Sequence, residues 1–509
     1  MNFPPEISQL VLDNYPLIIG TLIAYFVVFV VISWAAKRKL AKDVGDYVVA
    51  SRDLGWVVVT FTMYASVLSG VGMAGIPSTI YTIGVPFVVT ALTGIIVSTA
   101  LLWYFGPRIW VLGKEYSFTT PGDLLGEYYQ SDIVRMYTVI ASVLYNIAYI
   151  VAQLLAGGIL LNVLSGNVIS FGVGIWIITI IVIIHVALAG LRGIAWLDFF
   201  NGALILILLF LFGVVIMVAA GGPGSVVAGL GEIRDRFIAI PGMIGIFSPS
   251  RIYGVAIGLS LGAIVLSPSA WIRMYSARSR THFAKIGVLM LILWLISHVI
   301  GTYLIGTYGR VRFPNAENPD FVSSLLAFGV LPVFLATLFL IAVLAAIIST
   351  TDTYIHTLTA TVVRDCIRTL FWPKMDDAQE FRLNRTITIG AAAICIFLAL
   401  LNPVLITPLA IFAGGITVQL LPPLVGAVTW SRASTEAALV APAVGILLTL
   451  KWETGFLPGI LPAPFAPALP GLAVAFFINV FLFIVISYLT KPQSPEQVEK
   501  FHGLLARKL

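Results

Sequence analysis

Long apolar segments alternate with short polar connections along almost the whole chain. A helix needs about 20 apolar residues to cross the hydrocarbon core of a membrane, and segments of that length recur from end to end. They predict thirteen spans, near residues 16–36, 56–83, 85–110, 136–165, 168–190, 194–220, 250–273, 286–308, 328–363, 386–402, 404–430, 434–452 and 468–490. The pattern predicts an all-α polytopic membrane protein with about 13 transmembrane helices.

The composition agrees with this pattern and narrows the function. Hydrophobic residues make up 59% of the chain and charged residues 10%, with a mean hydropathy of +1.03, whereas soluble domains carry about a quarter charged residues. No segment is typical of a soluble catalytic or sensory domain, and the five histidines are scattered. We therefore expect neither an enzyme nor a sensor, and the absence of charge rings argues against a channel.

The basic residues predict the orientation of the chain. With an external N-terminus, most of the 29 Lys and Arg residues fall in cytoplasmic connections, and only six fall outside: Arg234, Arg236, Arg251, Arg310, Arg312 and Lys451. This asymmetry follows the positive-inside rule, so the net charge of +6 needs no nucleic-acid partner. We expect a multi-pass cell-membrane protein in the lipid bilayer, with a cytoplasmic tail at 491–509 and no obligate protein partner evident.

Two spans carry residues that weaken a helix at its centre. Residues 66–77 contain three glycines, two serines and a closing proline, and residues 258–269 are similar. Transporters bind solutes at such interruptions near the middle of the membrane, although small residues also permit close helix packing. The two spans lie five helices apart, so five-helix repeats would bring both breaks together. We predict breaks at Ser69–Gly72 and Ser260–Ala263.

The ninth predicted span offers oxygen atoms that suit a small cation. Ala346, Ser349 and Thr350 are spaced i, i+3 and i+4 and therefore share one helix face. Two hydroxyls and a carbonyl on that face suit a hard cation, but Ser and Thr also bond back to their own helix carbonyls. Both interpretations remain open on the residues alone.

Ionisable residues within membrane spans are rare and usually functional. Asp198 in the sixth span is expected either to tune ion release or to pair with a cytoplasmic arginine. Asp352 lies in the ninth span. His185 and His298 lie in apolar runs, where a buried, hydrogen-bonded histidine is the simpler interpretation, although His185 could also relay protons.

Four segments, in order along the chain, resemble the solute:sodium symporter family. They are Asp46–Trp56, similar to D-Y-x-x-A-x-R-x-L-G-W; Ala189–Asp198, similar to G-G-x-x-A-V-x-W-T-D; Trp271–Ser279, similar to the end of the sixth core helix; and Ser349–Thr353, similar to S-T-A-D-S. The resemblance implies sodium-coupled import of a small-molecule solute by alternating access. Proton coupling through Asp198 or His185 remains the alternative.

The resemblance also implies an architecture and a cation site. The fold would be the leucine-transporter-like inverted repeat, with repeats at 56–220 and 250–430, one extra helix at 16–36 and two at 434–490. The co-transported sodium ion would lie between the two core helices that supply its ligands. Those ligands would be the carbonyls of Ala65, Leu68 and Ala346 and the hydroxyls of Ser349 and Thr350.

The candidate solute-binding residues are polar or break the helix near the middle of the membrane. They are Ser66, Ser69, Gly70, Tyr145, Tyr149, Gln153, Ser260 and Gln419. Val67 stands where the proline-transporting branch has an aspartate, and the run Val418–Pro422 resembles branches that carry monocarboxylates or pantothenate. Every Lys and Arg falls in a connection or at a span end, so a bound anion would rely on the N–H groups of the broken helices and on Ser or Tyr hydroxyls. A short monocarboxylate is therefore expected, with an amino acid, pantothenate or a nucleobase as alternatives.

Overall fold

The computed structural model describes residues 5–37, 44–234, 237–239, 254, 256, 265–401, 406–454 and 471–509. Helices fill most of these ranges, and the pairing closest to a strand within them is an isolated bridge between Leu54 and Ala277. The predicted all-helical class is confirmed for this part of the chain.

Ten helices precede the first long gap in the described residues. They are α1 (Pro5–Asp13), α2 (Tyr15–Lys37), α3 (Val44–Val49), α4 (Trp56–Val67), α5 (Ile76–Ile83), α6 (Pro86–Glu115), α7 (Pro121–Tyr129), α8 (Asp132–Leu164), α9 (Phe171–Ala219) and α10 (Pro223–Ile233).

Twelve further helices follow in the described residues after that gap. They are α11 (Pro268–Ser276), α12 (His282–Leu295), α13 (Tyr303–Arg312), α14 (Val322–Val330), α15 (Val333–Thr361), α16 (Asp377–Leu401), α17 (Ile406–Thr417), α18 (Leu421–Val428), α19 (Thr435–Thr454), α20 (Gly471–Leu489), α21 (Pro495–Val498) and α22 (Leu504–Lys508). A π-helical segment, Ile296–Thr302, joins α12 to α13, and another, Val362–Phe371, extends α15.

The described residues contain ten helical stretches long and apolar enough to cross a membrane, and the bent pair formed by α4 and α5 raises the number to eleven. Most predicted spans correspond to one of these stretches. The span predicted at 250–273 lies largely outside the described residues. A multi-pass membrane protein is thus established, and the count of thirteen stays a prediction.

The loop predicted near residue 192 is helical in the structure. The spans expected at 168–190 and 194–220 run through the single helix α9, which has 49 residues. Its two apolar stretches, Phe171–Val186 and Leu191–Ala219, still correspond to the two predicted spans, so only the loop expected between them is replaced by helix. The expected loop near residue 192 contains glycine but no proline, and glycine alone costs only about 1 kcal/mol in a helix.

The helices differ in how far other helices surround them. In α8, 94% of the most apolar window is buried, and in the stretch Val333–Phe371 78% is buried. The corresponding share in the stretch Tyr15–Ala35 is 17%. The helices α8 and α15 therefore form the centre of the molecule, while α2 presents most of its surface to the surrounding lipid.

The start of α4 is tied to the end of α11. The backbone N–H of Leu54 donates to the carbonyl of Ser276 at 3.0 Å, and the N–H of Arg278 donates to the carbonyl of Leu54 at 2.9 Å. Two of the four family-like segments therefore meet in space, and α4 and α11 are held side by side.

Candidate functional site

The span formed by α4 and α5 is broken at its centre. The helix α4 ends at Val67, and Leu68 has non-helical backbone angles of φ −78° and ψ 70°. The segments Trp56–Val67 and Val71–Ile83 are bent by 53°, and a π-helical turn, Val71–Gly75, leads into α5. The break predicted at Ser69–Gly72 is confirmed, whereas the one predicted at Ser260–Ala263 lies outside the described residues.

Gly70 holds the break against the central helices. Its backbone N–H donates to Oε1 of Gln153 at 2.7 Å. A Cβ atom at this position would lie 2.8 Å from that oxygen and 2.9 Å from both Ala156 Cβ and Ile347 Cγ1. Only glycine fits there without displacing α8 or α15. Ser69 completes the turn, because its hydroxyl accepts the N–H of Val71 at 3.1 Å.

Oxygen atoms from α4 and α15 converge at the end of α4. The Ser349 hydroxyl donates to the carbonyls of Ala65 at 3.2 Å and Ala346 at 3.1 Å. The Thr350 hydroxyl lies 3.4 Å from the Ala65 carbonyl and 3.2 Å from that of Ser66. The last carbonyls of a helix lack partners within it, so the break is what frees these groups to meet α15.

This cluster has the chemistry of a site for a small cation. It combines main-chain carbonyls with hydroxyls, whose hydrogens rotate away to present a lone pair, and Ser349 and Thr350 are fully buried. Four of the five predicted ligand residues are joined by these contacts. The fifth, Leu68, is the fully buried residue that caps α4. The hydroxyl face inferred from helical spacing therefore does meet the broken helix.

A buried ion pair lies beside this cluster. Arg273 donates to Asp198 at 3.0 Å, and both side chains are almost fully buried. The same guanidinium group donates to the hydroxyls of Thr62 at 3.0 Å, Ser66 at 2.8 Å and Thr353. Thr62 also donates to Asp198. The pair thus contacts both α4 and α15 next to the oxygen cluster.

The partner of Asp198 in this ion pair corrects one expectation about the basic residues. Asp198 pairs with Arg273 in α11, whereas Arg192, the nearer arginine in sequence, donates to the carbonyl of Ala50. Arg273 was expected at the end of a span, away from the site. Its side chain instead extends into the protein interior, because five hydrogen-bond partners, one of them the carbonyl of Ser269 at 3.3 Å, replace its lost hydration. It also engages the hydroxyl of Ser66, a predicted solute contact.

A second buried pair joins α9 to α15. His185 Nδ1 lies 2.5 Å from a carboxylate oxygen of Asp352, and both residues are buried. The ring of His185 also packs against Phe29 of α2, with 5.0 Å between centroids. Asp352 is two residues beyond Thr350, so this pair orients the helix that presents the two hydroxyls.

Three tyrosines pack together between α8 and α15. Tyr149 stacks on Tyr145 with 5.2 Å between ring centroids, and it lies 4.8 Å from Tyr354. The hydroxyl of Tyr145 is 3.3 Å from that of Tyr354. The hydroxyl of Tyr149 forms no hydrogen bond with any residue that the structure describes. One predicted tyrosine is therefore engaged, and the other is free to meet a ligand.

Gln419 lies apart from the other predicted solute contacts. Its amide nitrogen donates to the carbonyl of Gly415 and to Thr449, each at 3.2 Å, and its amide oxygen accepts from Asn479 at 3.0 Å. The side chain thus joins α17 to α19 and α20. Ser260, the remaining candidate, lies outside the described residues.

A cavity of about 70 Å³ opens beside the helix break. Its walls are mainly apolar, with polar groups supplied by four residues. It is lined by Val67, Val71, Gly72, Ile76, Phe87, Ala91, Gly94, Ile95, Tyr149, Trp294, His298 and Thr407. Val67 adjoins Ser66, whose carbonyl belongs to the oxygen cluster, so the cavity and the cluster share the same helix end.

Three polar residues of the cavity, Trp294, His298 and Thr407, are not among the contacts that the sequence predicts. His298 was interpreted as a buried, hydrogen-bonded histidine, and its Nδ1 does lie 3.0 Å from the carbonyl of Trp294. The sequence does not mark Trp294 as a binding residue, because an aromatic side chain in an apolar span looks the same whether it packs against other helices or contacts a ligand. The π-helical segment that turns this face toward the cavity has no sequence pattern comparable to a glycine cluster.

Comparison with known proteins identifies a matching family and several relatives of this chain. A family model described as the sodium:solute symporter family matches residues 47–445. A sodium/pantothenate symporter of Escherichia coli K12 is 29% identical over 461 residues, which cover 88% of this chain and 93% of that protein. The high-affinity proline transporter PutP of Bacillus subtilis is 24% identical, covering 91% and 96%. A sodium/proline symporter of Escherichia coli K12 is 22% identical, covering 85% and 87%.

Two solved structures share the fold. One is a sodium-coupled sialic acid symporter in a substrate-bound outward-open state, with a TM-score of 0.76, 17% identity and coverage of 94% of this chain and 98% of that one. The other is Mhp1, a nucleobase-cation-symport-1 family transporter, with a TM-score of 0.58, 15% identity and coverage of 89% and 97%. These neighbours agree with the predicted leucine-transporter-like architecture.

Proposed function

Because the chain belongs to the sodium:solute symporter family, and is thus a sodium-coupled solute transporter rather than an enzyme, we propose that it imports a small monocarboxylate. The single observation that carries this proposal is the cavity at the broken helix, whose end also supplies the oxygen cluster. Sodium and solute would then bind on two sides of the same break.

The proposed sodium ligands are the carbonyls of Ala65, Leu68 and Ala346 and the hydroxyls of Ser349 and Thr350. Their support is the convergence of four of these residues at hydrogen-bond distance in a fully buried setting. Sodium replaces hydroxyl hydrogen bonds with direct oxygen contacts, so binding would draw α15 and the end of α4 together. Asp198 and Arg273 adjoin both helices, and we assign them the role of coupling that movement to the cytoplasmic side.

The proposed solute follows from the cavity walls and from the named relatives. Pantothenate and proline, the solutes named for the relatives, both carry a carboxylate. Val67 offers no acidic side chain to attract the amine of an amino acid, and the cavity is mostly apolar. The hydroxyl of Tyr149 lines the cavity without a hydrogen-bond partner among the described residues and can donate to a carboxylate. Bound sodium adds positive potential, which acts strongly where water is excluded.

We also propose how the chain is divided into repeats and oriented in the membrane. The two inverted repeats would span residues 56–220 and 250–430, with the extra helices at 16–36 and 434–490. The N-terminus would face outward and the tail at 491–509 the cytoplasm, as the distribution of basic residues indicates. Cysteine labelling of each terminus in intact cells tests this orientation.

Uptake into proteoliposomes tests the proposed function. Purified protein is reconstituted, and uptake of labelled lactate, pyruvate, acetate, propionate, pantothenate and proline is compared with and without an inward sodium gradient. We expect at least one monocarboxylate to accumulate only with the gradient. If the monocarboxylates neither accumulate nor compete while proline or another solute that is not a net anion does, the assignment of the solute class is wrong.

A further inference from the structure

The end of the tail is docked between two helices of the transporter. This strap, residues 495–508, comprises α21, a π-helical turn and α22. Phe501 at its centre is fully buried and packs against the ring of Tyr128 in α7, with 5.0 Å between centroids. His502 Nε2 lies 3.1 Å from the carbonyl oxygen of Gly426 in α18. The strap therefore fills the space between α7 and α18.

The strap also supplies hydrogen bonds that α7 cannot make by itself. The last carbonyls of a helix lack partners within it. The amide nitrogen of Gln497 donates to the carbonyls of Glu127 at 2.7 Å and Tyr128 at 3.0 Å, at the end of α7. The Lys500 ammonium group donates to the carboxylate of Glu127 at 2.6 Å. Undocking the strap would leave this end of α7 without these partners.

The other end of α7 holds the extension of α15. Asp365 lies in that extension, Val362–Phe371, and is fully buried. Its carboxylate accepts from the Thr120 hydroxyl at 2.7 Å and lies 3.5 Å from Arg135 of α8. A Cβ atom at Gly122 would lie 2.7 Å from the same carboxylate, so α7 packs closely on the extension. The helix α7 thus joins the strap to α15.

The extension continues the helix that presents the two hydroxyls of the oxygen cluster. The stretch Val333–Phe371 is helical throughout and contains both Ser349 and Asp365. At about 1.5 Å per residue these two residues are roughly 24 Å apart along the axis. A displacement of the extension therefore moves the helix that carries the hydroxyls, although the strap itself is remote from them.

We propose that the strap is a conformational switch coupled to the sodium site, so that the protein binds sodium tightly only while the strap is docked. The proposal rests on the sodium ligands given above and is independent of the identity of the solute. Coupling between two sites acts equally in both directions, so bound sodium stabilises the docked strap. Anything that displaces the strap from α7 and α18 lowers sodium-driven transport.

Hydrogen–deuterium exchange on the purified full chain tests the coupling without any solute. Exchange of the backbone amides in the strap and in α7 is measured in sodium chloride and in choline chloride, because it reports local opening. We expect sodium to slow exchange in both segments by about fivefold or more. The helix α10, which packs against α13, is the reference and should exchange equally in both salts. Equal exchange of the strap in the two salts would overturn the proposal.

Sodium affinity in strap variants is the reciprocal measurement. Gln497→Ala combined with Phe501→Ala removes the cap of α7 and the buried ring. The sodium concentration for half-maximal thermal stabilisation should then rise by about fivefold or more. Gln497→Ala alone is the milder variant and should give a smaller rise. Arg507→Ala is the matched control and should give none, because Arg507 is exposed and pairs with Glu499 inside the strap.

Two further results contradict the coupling. If the strap variants lose stability but keep the wild-type sodium concentration, the strap only supports the fold, and the proposed sodium ligands are unaffected by that result. If the Arg507→Ala control shifts the sodium concentration as far as the double variant does, the effect does not come from the contacts with α7.

Discussion

The hydroxyl oxygen of Ser349 lies 3.2 Å from the carbonyl oxygen of Ala65, so that α15 contacts α4 at the point where α4 ends. Thr350 makes the same kind of contact one residue further on. These contacts cross between helices, whereas Thr351 bonds back to the carbonyl of Ile347 in its own helix at 2.6 Å. Only the first two hydroxyls are placed to exchange a hydrogen bond for a cation.

The first prediction concerns sodium affinity. Replacing both Ser349 and Thr350 with Ala should raise the sodium concentration for half-maximal uptake by about tenfold or more, because each substitution removes an oxygen from a buried site. Thr351→Ala is the matched control and should leave the sodium dependence nearly unchanged. The two sodium titrations are compared in proteoliposomes. Equal sodium dependence in the double variant and the control would place the sodium site elsewhere.

The second prediction concerns the close packing of the helix break. Gly70→Ala places a Cβ atom within 2.9 Å of α8 and α15, so we expect a loss of stability of about 1–3 kcal/mol and a large loss of transport. Gly390→Ala in α16 is the control, because a Cβ atom there has no neighbour within 4 Å. It should be neutral or slightly stabilising. Thermal unfolding in detergent and uptake are measured for both variants. Wild-type stability and uptake in Gly70→Ala would show that the helix break is not closely packed against α8 and α15.

The third prediction concerns the buried ion pair. Arg273→Met leaves the Asp198 carboxylate buried without its partner, so the variant should lose about 3–5 kcal/mol of stability. Adding Asp198→Asn should recover part of that loss, since the second change removes the unpaired charge. The exposed pair of Arg278 and Asp53 provides the control, and Arg278→Ala should cost under about 1 kcal/mol. Additive losses in the double variant would show that the two groups do not interact.

The fourth prediction separates the two candidate tyrosines. Tyr149→Phe removes a hydroxyl that has no partner among the described residues and should weaken solute binding by about two- to tenfold with little change in stability. Tyr145→Phe breaks the contact with Tyr354 and should lower stability more than affinity. Sodium-dependent solute binding and thermal unfolding are measured for each variant. The opposite pattern would mean that Tyr145, rather than Tyr149, contacts the solute.

The sequence predicted those features that depend on local composition. Residues 66–77 combine three glycines with a proline, which weakens any helix regardless of its neighbours, and the break was found there. The spacing of Ala346, Ser349 and Thr350 determined that their oxygens share a face, because helical periodicity is a local property. The hydropathy of the chain determined the membrane class, since water cannot solvate so apolar a sequence.

Pairings between distant segments were decided only by the tertiary structure. Asp198 had several arginines within reach, and the packing of α11 against α4 selected Arg273. Gln419 and Tyr149 both appeared as polar groups in apolar spans, yet one joins three helices through hydrogen bonds and the other lines a cavity. Helical periodicity fixes which residues share a face, but which face meets a partner depends on how the helices pack together. The same physics explains why the sequence could name the hydroxyls of Ser349 and Thr350, and only the fold could bring the carbonyl of Ala65 to them.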